Sequence, residues 1–94
     1  MSAFTVRVEL HSEAYADFEA LHIHMAAEGF SKTITADDGT SYYLPRAEYD
    51  IYSSQGKSSV LQAAKRAVNN VGKAAEILVT ESAGRTWSGL SAVR

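Results

Sequence analysis

Two periodicities meet at one glycine in this chain. Phe18, Leu21 and Met25 recur at helical spacing up to Gly29, and Phe30, Lys32, Ile34 and Ala36 then alternate as far as Asp37-Asp38-Gly39. A helix repeats its apolar face every 3.6 residues and a strand every two, so the pattern fixes the register on both sides of Gly29. Glycine tolerates the positive φ that ends a helix. Asp37-Asp38-Gly39 closes a hairpin for a related reason, since Gly accepts positive φ and Asp bonds its own backbone. Two adjacent acids can also ligate magnesium, but the turn explains them without an ion.

The rest of the chain extends this reading. Phe4, Val6, Val8 and Leu10 alternate with Thr5, Arg7 and Glu9, which predicts a strand over 4–10 with one buried face. Ser12 follows as the expected N-cap of the first helix, with Glu13 and Asp17 where the macrodipole favours acids. Ala14 is expected to lead its buried stripe. The second strand is expected over Phe30–Ala36. Pro45 cannot sit inside a central strand, so the third is expected after it, with Ala47, Tyr49 and Ile51 on one face. A second helix buries Leu61, Ala64, Val68 and Val71 and closes at Gly72. A fourth strand covers Glu76–Thr80. The tail beyond Ser82, with Arg85 and Trp87, is expected as a packed extension or a short fifth strand.

Ninety-four residues suit one domain, 1–94, with a small core. The absence of cysteine excludes a disulfide framework, a thiolate zinc site and a cysteine nucleophile. The N-terminal segment has neither the basic start nor the apolar run of a leader, and no membrane span is expected, so a bacterial-type cytoplasmic protein is the default. A net charge of −2 does not advertise nucleic-acid binding. Acids crowd the first half, however, while Lys57, Lys65, Arg66 and Lys73 fall in the second.

The order β-α-β-β-α-β predicts an α+β domain of the ferredoxin-like kind: a four-stranded antiparallel sheet with both helices on one face. The residues also resemble the GhoS family of bacterial antitoxins. The features that match are the Phe18/Leu21/Met25 stripe, Phe30-Ser31 beyond it, the acidic hairpin ending at Gly39, and Leu44 and Tyr49 at matching separations. The similarity runs from about Phe4 to Trp87 and thins after Tyr52. It implies a ferredoxin-like endoribonuclease that cleaves messenger RNA, a toxin transcript above all, without a prosthetic group. One departure stands out. The family pattern carries arginines on the first helix between the Phe and the Met of the stripe, where this chain has Ala20, Leu21, His22, Ile23 and His24. Arginine clamps phosphate bidentately and neutral histidine does not. Either His22 takes over with acid–base chemistry or the catalytic role is lost.

His22 is therefore the first catalytic candidate. Cleavage by attack of the 2′-hydroxyl needs a base near that oxygen and an acid for the leaving one, and imidazole titrates near working pH. His24 projects about 200° away on a helix, so the two cannot act on one phosphate. Arg7 and Glu9 share the sheet face opposite the strand's core residues. Arg7 can meet phosphate and Glu9 can act as base or hold a divalent ion; a cross-strand ion pair explains both as well. Arg46 beside Tyr42 and Tyr43 can hold a phosphate next to a stacked base, or the loop can pack its own tyrosines. Lys65 and Arg66 are candidate RNA contacts or a solvated helix face. The competing function is a non-catalytic module that binds RNA, another protein or a second copy of itself.

Overall fold

A computed structural model describes residues 1–11 and 14–94 of the chain. The elements are β1 (Ser2–Leu10), α1 (Tyr15–Ala27), β2 (Thr33–Thr35), β3 (Ser41–Tyr43), β4 (Glu48–Ser53), α2 (Lys57–Val71) and β5 (Ala75–Glu81). β1 is the centre. It pairs antiparallel with β4, from Ser2 opposite Ser53 to Arg7 opposite Glu48, and on its other edge with β5, from Phe4 opposite Glu81 to Leu10 opposite Ala75. Its side chains Phe4, Val6, Val8 and Leu10 are buried, and Arg7 between them is exposed. Tyr49 of β4 joins the same core, as do Phe18, Leu21 and Met25 of α1 and Val60, Ala63, Ala64, Ala67 and Val68 of α2. Both helices thus cover one face of the sheet.

Two parts of the expected architecture are corrected. The four-stranded sheet is not seen: β4–β1–β5 form a three-stranded sheet, and β2 and β3 a separate two-stranded one. The expected strand over Phe30–Ala36 is shortened to Thr33–Thr35, because the arms of the hairpin satisfy each other, with Thr33 opposite Tyr43 and Thr35 opposite Ser41. An isolated bridge between Ser31 and Asp50 is what remains of pairing between that segment and β4. The return arm β3 lies before Pro45, while β4 begins after it as expected. Ala14 is exposed and precedes α1, so the buried stripe begins at Phe18. The Ser12 cap lies outside the described residues.

The turn chemistry follows the sequence. Gly29, at φ +97°, follows the last turn of α1; its N–H bonds the Ala26 carbonyl and the Phe30 N–H bonds that of Met25, a Schellman ending. In the hairpin turn the Asp38 carboxylate accepts the Thr40 N–H at 2.9 Å, which holds that acid below its usual range. The tail is a packed extension whose Ala92 bridges Tyr42 of β3. Among the described residues no helix is long and apolar enough to cross a membrane.

Neighbours on α1 test this packing. Leu21 has no exposed surface and Ile23 is 69% exposed. Leu21→Ala is expected to cost about 3 kcal/mol and Ile23→Ala under about 0.5 kcal/mol, as read by urea unfolding.

Candidate functional site

Tyr49 links the core to a polar corner. The alternation of β4 turns its ring inward, where it is fully buried, yet its hydroxyl lies 2.5 Å from Nδ1 of His22 on α1. The two rings meet edge-on with centroids 5.6 Å apart. Lys32 sits over the other side of the tyrosine, its Nζ 4.6 Å from the ring centroid. The three N–H groups of that ammonium match three carbonyls: Pro45 at 2.6 Å, Arg46 at 3.0 Å and Glu48 at 2.7 Å. Lys32 therefore pins the turn of residues 45–48, which the Glu48 N–H to Pro45 carbonyl bond also closes. Arg46, at the exposed crest of that turn, stacks its guanidinium 4.1 Å from the centre of the Phe18 ring on α1. The loop so brings an arginine across to the helix that carries His22.

This corner is electropositive and partly desolvated. Burial pulls the His22 imidazole below its ordinary 6.5, the Lys32 charge lowers it further, and Arg46 adds to this while Glu19 opposes. Burial brings Lys32 down to about 8, with Glu48 opposing. Burial raises the Tyr49 phenol, so it keeps its proton. His22 is consequently neutral at pH 7, and the proton in its bond to Tyr49 can lie either way. With Nδ1–H donating to the phenol oxygen, Nε2 is left with a lone pair, a base. With Tyr49 donating to Nδ1, the ring carries Nε2–H, a hydrogen-bond donor.

The other candidates divide by face. Arg7 and Glu9 occupy the side of β1 away from the helices, where Arg7 bonds Glu9 at 2.6 Å and Glu48 at 3.3 Å. That is the ion-pair arrangement, with one guanidinium between two carboxylates. Tyr42 meets Trp87 edge-on at 5.5 Å, whereas Arg46 is engaged with Phe18. Tyr43 is exposed on β3. Arg66 reaches Glu28 at the end of α1 at 2.9 Å, and Lys65 is exposed on α2. The structure thus unites His22 with Arg46 and adds Lys32 and Tyr49, which sequence reasoning missed as site residues. A signal for Lys32 was present: it is the one charged residue on the otherwise apolar face Phe30/Ile34/Ala36.

The fold and this corner define a small α+β protein with a neutral histidine bonded to a buried tyrosine in the field of two cationic side chains. The chain belongs to the GhoS family: the model of the endoribonuclease GhoS family matches residues 1–87. No curated protein matches the chain.

Two outcomes test the corner. The stability contributed by neutral His22 is full above 6.5 and is lost as pH falls from 6.5 through the lowered folded value, because the unfolded chain takes up the proton first. An NMR titration is expected to place the His22 midpoint below 6.5 and to find it raised in Lys32→Met, which removes a neighbouring positive charge. The same variant strips the donor from three carbonyls and is expected to lose about 1–2 kcal/mol in urea unfolding.

Proposed function

We propose that this protein is a GhoS-like antitoxin that cleaves single-stranded messenger RNA, such as a toxin transcript, as one cytoplasmic ferredoxin-like domain spanning residues 1–94. The observation that carries the reading is the hydrogen bond between His22 and Tyr49 beside two cations, Lys32 and Arg46. The ferredoxin-like plan is supported by the strand order β5–β1–β4, which the Ser31–Asp50 bridge extends toward β2.

In this reading Nε2 of His22 takes the proton of the 2′-hydroxyl while Nδ1–H is held by the Tyr49 oxygen. The 2′-oxygen attacks the adjacent phosphorus, the bond from phosphorus to the 5′-oxygen breaks, and the imidazolium returns a proton to that leaving oxygen. The products are a 2′,3′-cyclic phosphate and a 5′-hydroxyl. Negative charge on the phosphorane is met by the Arg46 guanidinium, which stands in for the arginines that α1 lacks. No metal is needed for this chemistry, although Glu9 on the far sheet face keeps a carboxylate that could take a divalent ion. Arg7, neutralised by two acids, serves phosphate contact only if RNA displaces one of them. Lys65 contributes to the approach of RNA by charge alone.

Purified protein incubated with mixed single-stranded RNA, with and without magnesium, is expected to give discrete products that a folded His22→Ala variant does not give. The rate is expected to rise with pH through an acid limb below 6.5, from His22. Arg46→Ala is expected to lower kcat/KM about 10- to 100-fold. Binding of RNA without products, falling with added salt, would replace the nuclease by a binding module.

A further inference from the structure

A second place on the molecule has the chemistry of a nucleotide site, and it lies on the opposite face of the sheet from His22. Between the β2–β3 hairpin and the chain that follows β5 runs a groove of about 550 Å³, lined among others by Thr35, Asp37, Tyr42, Arg85, Thr86 and Trp87. Its aromatic wall is built from both sides. Tyr42 is held by its pairing with Ile34 and by the Ala92 bridge, and the Tyr43 N–H to Ser91 carbonyl bond at 2.9 Å ties the tail to β3 again. Trp87 packs against Tyr42 with the rings 65° apart. In an edge-on pair the ring that presents its edge keeps both faces clear of its partner.

Arg85 also lines the groove. Its Nη1 donates to Asp50 at 2.7 Å and to the Thr5 hydroxyl at 3.4 Å, both on the face of the sheet away from the helices. Its Nε and Nη2 have no partner among the described residues, so the guanidinium is fixed in place with donors to spare. Asp37, at the hairpin end, disfavours a second phosphate there.

We propose that this groove holds one nucleotide of single-stranded RNA, with its base against the Tyr42–Trp87 wall and its phosphate on Arg85. The proposal rests on the RNA-cleaving reading above and adds to it a binding subsite remote from the chemistry. A mobile single strand gains a sequence-tolerant anchor from an aromatic face and an adjacent guanidinium.

Trp87 is the only tryptophan, and its fluorescence reports on the groove directly. The probe is a single-stranded 2′-O-methyl oligoribonucleotide of mixed sequence, which cannot be cleaved by attack of its own 2′-oxygen. Its binding is followed by fluorescence anisotropy of an end label and by Trp87 emission, with cleavage of ordinary RNA measured in parallel. Saturable quenching of Trp87, with affinity weakened about tenfold in Tyr42→Leu and in Arg85→Met, is the expected result. Arg85→Met keeps the test available should Tyr42→Leu fail to fold. Oligonucleotide binding with Trp87 emission unchanged, and with Arg85→Met binding like the parent, would overturn the groove and leave the nuclease reading intact. Neither binding nor cleavage would overturn both.

Discussion

The pleat of β1 is the constraint from which the rest of this structure follows. With β4 on one edge and β5 on the other, β1 must commit each side chain to one face or the other, and Phe4, Val6, Val8 and Leu10 fix that choice. The antiparallel register then imposes the same division on β4: Tyr49 opposite Val6 goes inward, and Glu48 and Asp50 go outward. A slip of one residue would bury Arg7 and expose the four apolar residues together, so the register is strongly specified. Chemistry is sorted by the same rule. The inward side meets α1 and becomes the neutral histidine corner, and the outward side becomes a field of ion pairs.

At the corner, a buried tyrosine carries the packing of the core to a titratable side chain. Tyr49 belongs to the core by its ring and to the candidate site by its hydroxyl, so the ring nitrogen it meets on His22 is positioned by the same contacts that hold the domain together. Lys32 works in a similar way on the other side. Its ammonium lies over the Tyr49 ring and gathers the carbonyls of the 45–48 turn. That turn aims Arg46 across α1. The cation that tunes His22 is therefore also the one that shapes the loop carrying the arginine.

Much of the fold was legible in the sequence because apolar periodicity reports burial directly. The α1 stripe, its ending at Gly29, the hairpin turn at Asp37-Asp38-Gly39, the break at Pro45 and the closure of α2 at Gly72 all reflect local rules of backbone and side chain. The four-stranded sheet failed for a reason that such rules do not contain. Alternation over Phe30–Ala36 shows that the segment can be extended, not which neighbour it pairs with, and β3 competes with β4 for its hydrogen bonds. Membership of the GhoS family, matched over residues 1–87, had its sequence counterpart in the same helix-to-hairpin stretch.

Sequence by itself determined which residues lie inward on β1 and from Phe18 along α1, where helices stop, and that His22 sits at the margin of a buried face. These depend on spacing along one chain. On α2 the buried set is Val60, Ala63, Ala64, Ala67 and Val68, with the expected Leu61 and Val71 only partly buried. Tertiary structure alone decided that His22 meets Tyr49, that Arg46 reaches Phe18 rather than Tyr42, and that Tyr42 is matched with Trp87 from the far end of the chain. Those contacts join residues 27, 28 and 45 positions apart (22 to 49, 18 to 46, 42 to 87). At such separations the partner is chosen by how sheet and helices pack, and no local pattern records it.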